Sequence, residues 1–163
     1  MSLRGQQLHE AADRQIADLA GRLSAAEEAQ LSQPCPGRQK LGDGTIGAVA
    51  AHTADNYHRI AAFVAAIART SPRRTDRHPT AAVDLDVLIA RLASARVAVA
   101  TIAQLSDDDL DLVPAAGGMK FADGERTLEE ILTRLFNHQR HQVTAVLSAV
   151  GRPWGACPTA GRR

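Results

Sequence analysis

The sequence predicts an all-α protein built as a four-helix bundle, and three observations carry that expectation. Apolar residues recur at spacings of three and four in four separate segments, as one face of a helix requires. The hydrophobic fraction of 45% comes almost wholly from alanine, leucine, valine and isoleucine, with only 3% aromatic residues. Such side chains suit close helix packing, whereas strands favour β-branched and aromatic residues. Start and stop signals frame the segments, most clearly in the last one. There Thr127-Leu128-Glu129-Glu130 forms a capping box and Gly151 is followed by Pro153.

In chain order, a first helix is expected from residue 6 to about residue 31. Leu8, Ala12, Ile16, Leu19, Leu23 and Ala26 turn inward, and Asp13, Arg14, Asp18 and Arg22 lie on the wetter side. Pro34, Pro36, Gly37, Gly42 and Gly44 then impose a loop. Thr45 is the expected N-cap of a second helix reaching about residue 70, with a stripe of Val49, Thr53, Asn56, Ile60, Phe63 and Ile67. Residues 71–79, with Arg73, Arg74 and Arg77, read as a solvated loop.

A third helix is expected over residues 84–105, with Leu85, Leu88, Ile89, Leu92, Val99 and Ile102 inward. Residues 106–126 form a long connection with an acidic run, Gly117-Gly118 and Asp123-Gly124, roomy enough for a short helical turn or a hairpin. The fourth helix runs to Val150. The bundle is assigned to residues 1–154 and a flexible tail to residues 155–163.

Bulk properties narrow the function. With 19 basic and 18 acidic residues the net charge is +1, which leaves no electrostatic footprint for nucleic acid. The longest apolar runs, residues 61–68 and 97–103, are too short to span a membrane, and the N-terminus lacks a signal-peptide core. Two cysteines, Cys35 and Cys157, each beside proline, do not make a disulfide scaffold, so a reduced, cytoplasmic protein is expected.

Chemistry concentrates in Leu135-Phe136-Asn137-His138-Gln139-Arg140-His141-Gln142. The stripe Ile131, Leu135, His138, Gln142, Ala145 and Ala149 gives His138 a core position, with His141 and Gln142 as next-turn neighbours. His52 lies at the edge of the second helix's stripe. Imidazoles from two helices are a common way to build a metal site in a bundle. Against this stands a neutral core histidine satisfied by a carbonyl or carboxylate, and both readings stay open. Asp55, one turn after His52, is either a supporting base and proton carrier or an ordinary surface carboxylate. Cys35 precedes the His52 helix and reads as a buried, incidental thiol. Cys-x-x-Cys, Gly-rich phosphate loops and His-Glu-x-x-His are missing from the sequence.

The run Thr45-Ile46-Gly47-Ala48-Val49-Ala50-Ala51-His52-Thr53-Ala54-Asp55 resembles the second-helix motif of DinB-like proteins. Thr127-Leu128-Glu129-Glu130-Ile131-Leu132 with Leu135-Phe136-Asn137-His138-Gln139 is similar to their last-helix motif, and Asp123-Gly124 and Gly151-Arg152-Pro153-Trp154 also look like family features. The resemblance implies an up-down-down-up bundle with long loops after helices 1, 2 and 3, often dimeric, holding zinc or nickel on three histidines. His52 and His138 match two of these. At the third position stands Gln142, with His141 one residue early, so either His141 or Gln142 would complete the site. Relatives include thiol S-transferases that use bacillithiol or mycothiol. The expected function is therefore a metal-dependent thiol S-transferase or hydrolase acting on a small-molecule substrate, as a homodimer without nucleic acid or membrane. The alternative is a non-catalytic dimeric binding or regulatory module with a degenerate metal site.

Overall fold

The computed structural model describes residues 2–68 and 84–151. Helix α1 (Leu3–Ser24) starts where the Ser2 hydroxyl accepts the Gly5 amide. It stops earlier than its periodicity suggests. Glu27 and Gln30 form a reciprocal cap that begins a separate 3-10 turn at Glu28–Ser32, so the apolar pattern continues through a change of helix type. Helix α2 (Ile46–Ile67) is capped by Thr45, and α3 (Leu85–Val99) by Asp84. α3 then tightens into a 3-10 turn, Ala100–Gln104, so the third apolar segment is also two pieces.

The long connection carries a one-turn helix, α4 (Asp107–Asp111), capped reciprocally by Ser106 and Asp109. No strand occurs among the described residues; the loop near Asp123 is held by Asx-type bonds, in which its carboxylate accepts from the Glu125 and Arg126 amides, instead of by a hairpin. Helix α5 (Leu128–Val150) begins at the capping box of Thr127 and Glu130 and ends at Gly151. The Arg73–Arg77 loop and the expected tail at 155–163 lie outside the described residues.

The topology is up-down-down-up. The start of α1 meets the end of the α3 segment, since Ser2 N donates to Leu105 O at 3.0 Å. The Arg4 guanidinium pairs there with Asp111 of α4 and Glu129 of α5. At the opposite end, Gln30 Nε2 donates to Val150 O and Leu85 N donates to Glu28. Helices α1 and α5 thus run one way and α2 and α3 the other. Each of α1 and α2 packs on both α3 and α5.

The core is aliphatic, with Ile16, Leu19, Leu23, Leu88, Leu92, Ile102, Leu128 and Ile131 among its fully buried side chains. One polar relay crosses it. The Tyr57 hydroxyl donates to Gln15 Oε1 at 2.5 Å, and Gln15 Nε2 donates to the Phe136 carbonyl at 3.3 Å. This links α1, α2 and α5, and the Tyr57 and Phe136 rings stack at 6.5 Å.

Two stripes differ in phase from the sequence expectation. In α2 the buried line is Ile46, Val49, Thr53, Tyr57, Ile60 and Val64, while Asn56 and Phe63 are half-buried. In α5 it is Leu128, Ile131, Leu132, Leu135, Gln139, Gln142, Val143 and Val146. His138 therefore stands at the edge of the core rather than within it. Adjacent apolar pairs such as Leu135-Phe136 let the helix rotate by one position, about 100°, without losing burial.

Candidate metal centre

Two features seat α2 where His52 can face α5. The loop before it is closed by an antiparallel bridge between Pro34 and Thr45, with Cys35 N bonded to Gly44 O and Ile46 N to Gln33 O. Gly47 then lets the first turn lie against Leu31, where an added Cβ would stand 3.2 Å from its carbonyl oxygen.

His52 is half-buried, and its Nε2 lies 3.0 Å from Asn56 Nδ2. Arg59 donates to Asn56 Oδ1, which orients the amide so that its nitrogen donates and Nε2 accepts. Burial holds the His52 imidazole below its ordinary range, opposed by Asp55 and reinforced by Arg59. His138 is half-buried too. Desolvation lowers its basicity first, followed by the charges of Lys120, His141, His52 and Arg38. His52 and His138 are thus within electrostatic reach of each other, and both are held in the neutral form that binds metals.

The remaining expected residues are placed differently. His141 is exposed, and its backbone carbonyl accepts a 3.1 Å bond from Arg38 Nη2. Gln142, one turn beyond His138, is only 6% exposed, and its Oε1 is buried without a partner; Gln139 Oε1 is in the same condition. Asp55 Oδ1 lies 4.0 Å from Arg91 Nη1 of α3. Cys35 is fully buried, and burial pushes its thiol up, which makes it unreactive.

Among the described residues, no three side chains of the His, Cys, Asp or Glu type are gathered closely enough to hold an ion. His52 and His141 both act electrostatically on His138, and His141 is exposed. Gln142 Oε1 is a buried oxygen with no hydrogen-bond donor among the described residues. Two neutral imidazoles and an amide oxygen suit a divalent first-row ion, though less well than three imidazoles do.

Among the described residues no helix is long and apolar enough to cross a membrane. No curated protein and no solved structure matches the chain significantly. The family model for the DinB superfamily matches residues 7–144, spanning α1 through most of α5 and including His52, His138 and Gln142. The chain belongs to the DinB superfamily.

Proposed function

We propose that the protein is a divalent-metal-dependent DinB-superfamily enzyme, a thiol S-transferase or hydrolase acting on a small molecule. His52 and His138 would hold the ion, with Gln142 Oε1 as the third donor. The observation that carries this reading is the buried, unpartnered Gln142 oxygen one turn beyond a histidine kept neutral. Zinc or nickel suits such a donor set, and when bound it supplies Lewis acidity toward a thiol or water.

The chain's own residues have separate tasks. The Asn56 amide fixes the His52 ring through Nε2 in the metal-free state and must yield that nitrogen, or leave Nδ1, to an ion. Asp55, 4.0 Å from Arg91 Nη1 of α3, lies one turn from His52 and can receive a proton from a thiol or water that arrives there. Low-molecular-weight thiols such as mycothiol or bacillithiol are the cosubstrates to try, and a homodimer is part of the proposal.

The test is metal content by elemental analysis of tag-free protein after zinc or nickel loading. Near-stoichiometric metal is expected in the wild type, its loss in His52→Ala and His138→Ala, weaker retention in Gln142→Leu, and no change in His141→Ala. Substoichiometric metal in the loaded wild type overturns the reading. It would leave the non-catalytic module, which the existing His52–Asn56 bond favours.

A further inference from the structure

We propose that Asn56, oriented by Arg59, is a positioning residue for His52: it keeps the imidazole proton on Nδ1 and holds Nε2 as the nitrogen that meets an incoming divalent ion. The inference rests on reading His52 as a ligand of the proposed site and adds which of its two nitrogens serves, and what selects it.

The assignment follows from which groups can only donate. A guanidinium has N–H donors and no acceptor. Arg59 Nη1 stands 3.5 Å from one polar atom of Asn56, so that atom is the amide oxygen, Oδ1. The amide nitrogen, Nδ2, then faces His52 Nε2 at 3.0 Å. An amide nitrogen also only donates, so Nε2 must offer a lone pair. A neutral imidazole with its lone pair on Nε2 carries its proton on Nδ1. The same contact is closed to the imidazolium, whose Nε2–H would point at a second donor.

The arrangement belongs to one helix. Side chains on a helix lean toward its N-terminus, so a residue reaches back over the one three or four before it. Asn56 overhangs His52, and Arg59 overhangs Asn56. Arg59 is exposed and the other two are half-buried, on the side of α2 away from its buried line. Turning the amide over would let Oδ1 accept an Nε2–H, but it would set Nδ2 against the Arg59 cation, donor to donor. Arg59 therefore decides the tautomer through Asn56.

A neutral imidazole binds a metal through the nitrogen that lacks the proton, and what the other nitrogen does fixes the choice. His52 can give up Nε2 by opening one hydrogen bond, with no proton lost and no change of tautomer. Nδ1 is closed to an ion until the ring rearranges. The bond that sets the tautomer also competes for Nε2, so the positioning costs some affinity.

The test follows the His52 ring by nuclear magnetic resonance in the full chain labelled with nitrogen-15 histidine, its signals identified by their loss in His52→Gln. Spectra are taken at about pH 9, well above the usual imidazole pKa of about 6.5. In metal-free wild type Nδ1 is expected to be protonated and Nε2 bare. Asn56→Asp should reverse this, because a carboxylate accepts from Nε2–H, whereas Asn56→Leu and Arg59→Ala should give mixtures. A purely structural Asn56 would leave the ring signature the same in all of them. On titration with zinc the wild type should change at Nε2 with Nδ1 still protonated, and Asn56→Leu should bind zinc about twofold to tenfold more tightly. Arg59 is exposed, so its variant keeps the test valid should a change at Asn56 unsettle the helix. The proposal is overturned by an Nε2–H tautomer in the wild type, by an unreversed tautomer in Asn56→Asp, by weaker zinc binding in Asn56→Leu, or by zinc held through Nδ1. If the tautomers behave as expected and zinc leaves His52 untouched, positioning by Asn56 stands and the metal reading alone falls.

Discussion

At one level of the α2–α5 seam, Tyr57 donates to Gln15, and Gln15 donates onward to the Phe136 carbonyl. At another level of the same seam, Gln139 and Gln142 point buried oxygens at nothing, and His52 and His138 are kept uncharged. The same two helices therefore satisfy polarity completely in one place and leave it open in another. A buried acceptor without a donor costs about 1–3 kcal/mol, so a fold that closes Tyr57 into a relay has the means to close Gln142 as well. Where it does not, the open group is available for something the bare chain lacks. The proposed site rests on that contrast more than on the histidines.

The contrast can be broken at its closed end first. Tyr57→Ala should destabilise the protein by about 3–5 kcal/mol, since it removes a fully buried ring and its stack on Phe136; chemical denaturation reads this, and a loss near zero would dissolve the distinction. Gln15→Leu should cost about 1–2 kcal/mol, because it orphans the buried Tyr57 hydroxyl and frees the Phe136 carbonyl.

Alkaline stability gives a third handle. Burial raises the Tyr57 phenol above its usual pKa of about 10. The unfolded chain ionises there first, so stability is full below about pH 10 and falls as pH rises toward the folded value. Tyr57 is the one tyrosine in the chain, so phenolate absorbance and unfolding should rise together, and Tyr57→Phe should abolish the alkaline slope. Independent ionisation of a folded protein would refute this. The smallest effect should have the opposite sign. Gln142→Leu in metal-free protein should be neutral or stabilising by up to about 1 kcal/mol, seen as an unchanged or raised Tm. Marked destabilisation would mean that Gln142 already has a structural partner.

The legible part of the fold is what helix periodicity and capping encode. Thr45, Thr127 with Glu130, and Gly151 all stand where the expected caps do. Periodicity does not see a switch from α to 3-10 winding, which is why the first and third segments each read as one helix. Nor does it fix phase when apolar residues come in adjacent pairs. The spacing Ile131, Leu135, His138, Gln142 puts His138 at the centre of the stripe, whereas burial runs through Gln139 and Gln142. His141, an apparent equal of His138 in sequence, is exposed, since one residue along a helix is enough to leave the interface.

The stitching of the first residues to the far half of the chain has a consequence for synthesis. Gly5 packs so tightly on Ile102 and Leu105 that an added Cβ would meet both carbonyls at 3.0 Å, while Arg4 waits for Asp111 and Glu129. On a ribosome, α1 emerges first, but α3, on which it packs, begins only about sixty residues after α1 ends. Its apolar face must stay unsheltered for that interval, which at about 5–20 residues per second lasts several seconds.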